Sequence, residues 1–317
     1  MLSDFLRTME EIDYLGEKVI RWRRGASSFL ACPERGARLM NWNIRYADGS
    51  VRDVIFWPDD LPNLEDIASV HGGNPILFPF CGRSFHNGEN GFWLTPSGER
   101  RPMPIHGFAR QSRFEIAHIS DNGFSAKLLP LQTNRDFYPF RYEFTVSYRF
   151  EELTLYVELL LKNLDTVPIP WSAGHHFYFT LPWRERTSRT DYQIYIPARE
   201  AYRHGADGKL LPVPEFPQED RFDSAGLRDR IHTDLIWNTC TFGPIEREEK
   251  IKIRIGNRRR PAEGTTFVVW TKDEDSPYYC VEPWMGPPNS PEHKRGLHFV
   301  EPGRTQSFLS EIHLEQP

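Results

Sequence analysis

The chain has 317 residues, 39% of them apolar and 26% charged, with a formal charge of −5. That composition fits a globular protein with a sizeable core and excludes a disordered chain. No basic field is available to hold nucleic acid, and no run of 18 apolar residues exists to cross a membrane as a helix. Cys32, Cys81, Cys240 and Cys280 are widely spaced and form no C-x-x-C pair. With Asp4, Glu10 and Glu11 where a secretory leader needs basic residues before an apolar stretch, the expectation is a cytoplasmic protein with reduced thiols.

In chain order, residues 3–11 and 58–70 are the segments with short-helix character. Residues 114–119, the turn Asp121-Asn122-Gly123 and residues 124–129 predict a β-hairpin. Residues 140–150 are apolar at every second place. After Glu151-Glu152 the alternation resumes at Leu153, Leu155, Val157, Leu159 and Leu161, a second hairpin with one buried face. Residues 197–222, rich in proline and charge, suggest a long surface excursion. Ile251, Ile253 and Ile255 alternate with basic residues, residues 266–271 form a continuous β-type run, and residues 305–314 a closing strand. With 26 prolines and 22 glycines as punctuation, the pattern predicts one large, mostly antiparallel all-β domain over 1–317 with a few short helices. Arginine clusters such as Arg23-Arg24 and Arg258-Arg259-Arg260 suit a solvated surface.

Four segments carry groups able to do chemistry. In Trp171-Ser-Ala-Gly-His-His-Phe-Tyr-Phe, strand geometry puts His176 and Tyr178 on one face and His175, Phe177 and Phe179 on the other. The second face has the character of core, which leaves His176 as the functional candidate. A pair of hydrogen-bonded structural histidines remains the alternative. In Tyr278-Tyr-Cys-Val-Glu-Pro-Trp, the proline confines Glu282 to extended backbone and fixes the direction of its carboxylate. Glu282 is therefore either half of an ion pair or a base with a raised pKa in a cleft. His106 and Arg110 supply donors in Ile105-His-Gly-Phe-Ala-Arg110. Asn74 and Arg83 are the polar members of a Gly-rich segment that lacks the lysine of a phosphate-cradling loop. Asp234 is a further carboxylate, equally suited to the surface. Hydrolysis of a glycoside would call for two positioned carboxylates, and only Glu282 stands out. A metal centre built on the histidines is disfavoured because His175 and His176 cannot both ligate from one strand face.

In order along the chain, GGNPILFPFCGR, IHGFAR, AGHHFYFTLPW, VEPWMGPPN and FVEPGRTQSFLSEI together resemble the aldose 1-epimerase (galactose mutarotase-like) superfamily. The HGFAR and EPW segments are most similar to its hexose-6-phosphate mutarotase branch. The resemblance implies a large twisted antiparallel β-sandwich, the supersandwich. It also implies interconversion of the α and β anomers of an aldose or aldose 6-phosphate, with no metal or other cofactor. His176 would protonate the ring oxygen and Glu282 would take the proton of the anomeric hydroxyl. His106, Arg83 and Asp234 would contact sugar oxygens, with Asn74, Arg110 and Tyr178 beside them. Asn74 and Cys81 depart from the branch, where an apolar and an aromatic residue are expected. The implied partner is a small-molecule sugar or sugar phosphate, bound by a monomer or homodimer. A non-catalytic carbohydrate-binding protein of the same fold is the alternative reading.

Overall fold

The computed structural model describes residues 8–258 and 260–315. Strands dominate, as the alternation requires. Among the described residues a 13-stranded and a nine-stranded sheet, both antiparallel, pack as the expected sandwich, with three two-stranded ribbons beside them. The larger sheet runs from Met9–Tyr14 at one edge to Leu210–Pro212 at the other. At its centre Tyr178–Thr180, Tyr278–Trp284 and Thr266–Trp270 lie side by side. The smaller sheet runs from Phe114–Ser120 through Tyr142–Phe150, Thr154–Asn163, Thr305–Glu315 and Lys250–Ile255 to Glu219–Arg221.

The period-two residues build the core. Phe144, Val146, Tyr148 and Phe150 face inward with Leu155, Val157, Leu159 and Leu161, and the three isoleucines of Lys250–Ile255 join them. Across from them the large sheet contributes Phe177, Phe179, Phe267, Val269, Tyr279 and Val281, and one hydrophobic cluster draws on both sheets. Since successive strand residues point to opposite faces, filling the core with these residues turns His176, Tyr178, Val268, Trp270, Cys280 and Glu282 outward together. Register completes the grouping: Tyr178 lies opposite Cys280, Trp270 opposite Cys280, and Val268 opposite Glu282.

Three sequence expectations are corrected. Residues 3–7 lie outside the described residues, but Met9–Tyr14 is an edge strand paired with Glu17–Arg24, not helix. Its alternation of half-buried and exposed positions suits a sheet edge better than a helix face. Of 58–70 only Ile67–Ser69 is helical, a single 3-10 turn. Half of the 197–222 excursion is strand: Ala198–His204 pairs with Ile231–Leu235 in the large sheet and buries Ala198 and Ala201. Small alanines between charged residues gave no apolar stripe to signal it. Arg259, in the arginine cluster, lies outside the described residues. No helix among the described residues is long and apolar enough to cross a membrane.

Candidate active site

On the outward face of the large sheet lies a groove of about 1050 Å³. Its floor is set by the central strands. Glu282 Oε2 is 3.5 Å from His176 Nε2, and the residues are 1% and 8% exposed. The His176 ring stacks on Tyr178 with centroids 4.8 Å apart and meets Trp270 edge-on at 5.7 Å. His106 approaches it edge-on at 5.3 Å from a different segment. His106 has φ +64° and is followed by Gly107 at φ +70°. A Cβ on Gly107 would sit 1.9 Å from the Phe78 carbonyl oxygen, so only glycine lets the loop close here. A left-handed non-glycine residue costs about 1–3 kcal/mol and persists where its surroundings hold it. Here the Gly82 N–H donates to His106 Nδ1 at 3.2 Å. With Nδ1 accepting, the neutral ring carries its proton on Nε2.

Burial dominates the electrostatics. It pushes the Glu282 carboxyl well above the usual carboxylate range, with the charge of Asp229 adding to it. Burial, reinforced by His106, Arg110 and Arg38, drives His176 well below the usual imidazole value. His106 falls to about 3, from burial and then the Arg110 and Arg83 cations. Arg38 is itself fully buried, donating to the carbonyls of Val70 and Gly72. The resting pair is therefore protonated Glu282 beside neutral His176. Carboxylate plus imidazolium, the form with a base and an acid in place, holds the same number of protons and is one transfer away.

The structure brings together Glu282, His176, His106, Arg83, Arg110 and Tyr178, all of which line the groove. Two expected residues fall outside its lining. Asn74 is fully buried behind the floor, where its Oδ1 accepts the His176 backbone N–H at 3.1 Å. Its Nδ2 lies 2.8 Å from the Tyr148 hydroxyl and 3.2 Å from His175 Nδ1. Asn74 thus holds the His176 backbone from the core side. Asp234 is exposed, pairs with Arg199 at 3.3 Å and lines a separate surface pocket. Asp234 follows buried His232 and Thr233 near the end of Ile231–Leu235, where its left-handed φ of +48° breaks the strand alternation and turns the side chain to solvent. Asp229, just before that strand, lines the groove instead. His175 sits in the core between Phe177 and Phe308, as parity requires, and burial takes its pKa to about 3.

Several groove residues were missed: His71, Trp270, Arg203 and His204. Trp270 and Cys280 were within reach of the parity argument once Glu282 was chosen. His71 and the Arg203-His204 pair carried no such signal, since a loop and a misread strand deliver them. All four cysteines are unpaired and buried. Among the described residues one group of metal-type ligands comes together, His176, Cys280 and Glu282, with donor atoms within 4.8 Å of one another.

The sequence and the fold both match known proteins. The family model described as aldose 1-epimerase covers residues 18–312, and the chain belongs to that family. One relative, the plasmid-encoded protein LacX of Lactococcus lactis subsp. lactis, is 24% identical over 237 residues, 68% of this chain and 74% of LacX. Among solved structures, a galactose mutarotase-like protein from Clostridium acetobutylicum superposes with a TM-score of 0.78 at 16% identity, covering 98% of both chains. The Slr1438 protein from Synechocystis sp. PCC 6803 gives 0.75 at 22% identity, covering 97% of this chain and all of that one.

Proposed function

We propose that the groove interconverts the α and β anomers of an aldose or aldose 6-phosphate. The observation that carries this reading is the buried Glu282–His176 pair, 3.5 Å apart, at the floor of an open groove. Opening a cyclic hemiacetal needs a base at the C1 hydroxyl and an acid at the ring oxygen, acting together. In this reading Glu282, after passing its proton to His176, takes the hydroxyl proton while His176 protonates the ring oxygen. Rotation about C1–C2 and reclosure with the roles exchanged inverts the anomer and restores the pair. Each proton-transfer group contributes about 10²–10⁴-fold. His106 offers its Nε2–H to a sugar oxygen, Asp229 accepts from hydroxyls, and the aromatic wall of Tyr178 and Trp270 covers the apolar ring face. Arg83 and Arg203 line the same groove and supply the charge a 6-phosphate would need. The same reading treats residues 1–317 as one domain, which the core cluster shared by both sheets supports.

Exchange NMR across glucose, galactose and their 6-phosphates tests it. At least one of these sugars should interconvert faster than its solvent background, with the acceleration lost in His176→Ala. Binding without acceleration for any aldose would replace this reading with that of a carbohydrate-binding protein.

A further inference from the structure

Cys280 has no part in the proton transfers above. It lies on the same strand and face as Glu282, two residues earlier, and opposite Tyr178. It is fully buried and packs with Tyr178 and Tyr278, as any small apolar side chain there would. Its sulfur, however, shares a space with His176 and Glu282, all three donor atoms falling within 4.8 Å. One buried polar atom in this cluster, Glu282 Oε2, has no hydrogen-bond partner. A nitrogen and an oxygen each about 2.0–2.1 Å from a tetrahedral zinc ion lie about 3.4 Å apart. His176 Nε2 and Glu282 Oε2 already stand at 3.5 Å. A sulfur at about 2.3 Å would sit about 3.6 Å from either, so the group need contract by no more than about 1.2 Å.

We propose that His176, Cys280 and Glu282 form a site for a thiophilic divalent cation of the zinc type, which displaces the proton-transfer pair from its work. The inhibition rests on the anomerase reading; the metal site does not. Thiolate, imidazole and carboxylate are the ligand set zinc favours, and the groove leaves the fourth position to water or a sugar oxygen. The charges balance. The thiol and the carboxyl each release a proton to solvent, His176 contributes a neutral lone pair, and two anions meet one dication. Burial that makes each separate charge costly favours the neutral assembly. Metal binding should therefore tighten as pH rises.

Cobalt(II) titration of the intact protein reads the site directly. One equivalent should produce a thiolate-to-cobalt charge-transfer band, absent in Cys280→Ser and retained in Cys81→Ser, the control for a second buried thiol. Zinc should inhibit anomerisation by lowering kcat, since it occupies both proton-transfer groups while sugar can still bind. Cys280→Ser should weaken that inhibition at least tenfold while turnover in metal-free buffer is unchanged. Should the serine variant fail to fold, Glu282→Gln serves, with cobalt affinity falling at least tenfold. Absence of the band in the wild type, its persistence in Cys280→Ser, or equal zinc inhibition of both proteins would overturn the proposal. If no sugar is turned over at all, the cobalt band still decides the metal site.

Discussion

Replacing Glu282 by glutamine keeps the shape of the side chain and removes its titration, and so separates the chemistry from the fold. In an unfolded chain a glutamate titrates near about 4.3. In the folded protein, burial holds the Glu282 carboxyl protonated well above that. A group whose folded pKa is raised contributes stability that is fully present below the unfolded pKa and is lost as pH rises through the folded one. Across that window the unfolded state has released a proton that the folded state keeps. The wild type then loses about 1.4 kcal/mol per pH unit relative to the glutamine variant. Between pH 5 and 7 the difference reaches about 2.7 kcal/mol if the folded carboxyl ionises above pH 7, and it levels off at the pH where that ionisation occurs. Urea unfolding of both proteins at pH 5, 6, 7 and 8 measures it, and other titrating groups cancel to first order in the comparison. Over the same series, anomerisation by the variant should fall about 10²–10⁴-fold. A stability difference constant from pH 5 to 8 would mean that the carboxylate is ionised in the fold, and the shared-proton description of the pair would be refuted.

Asn74→Ala should lower stability by about 2–3 kcal/mol, because it strips partners from buried groups. It should reduce kcat more than it raises KM, since Asn74 holds the His176 backbone without lining the groove; urea unfolding and steady-state kinetics on one preparation give both. Asp234→Ala should leave kcat, KM and stability within about 0.5 kcal/mol of wild type, as expected of an exposed ion pair. Asp229→Ala, in the groove, should raise KM about tenfold, the equivalent of one hydrogen bond to a hydroxyl.

The clearest lessons about legibility come from particular strands. Tyr142–Phe150 and Thr154–Asn163 were readable because one face is core and the other is not, so period two is written into the residues. The sequence suggests helix over 3–11 and a surface excursion over 197–222, because the edge strand Met9–Tyr14 and the strand Ala198–His204, which buries two alanines, leave little apolar alternation. Parity chose His176 over His175 correctly as the side chain facing the groove. It could not say that Asn74 supports that histidine from behind, because this contact crosses 102 residues of chain.

For the pair at the centre of the groove, the residues themselves determined that Glu282 would be held rigidly by its proline and that His176 would face away from the phenylalanines. They also determined an antiparallel β architecture, through alternation that only burial of one face explains. The tertiary structure alone decided that the two side chains meet, that Asp229 rather than Asp234 lines the groove, and that Cys280 stands beside the pair. Those facts depend on the register of Tyr178–Thr180 against Tyr278–Trp284, about a hundred residues apart, and of Thr266–Trp270 against Tyr278–Trp284 across residues 271–277. Local sequence carries the period of a strand. Which strands become neighbours, and in what register, is settled by how the whole core fills, and the protonation state of the pair follows from the burial that this packing imposes.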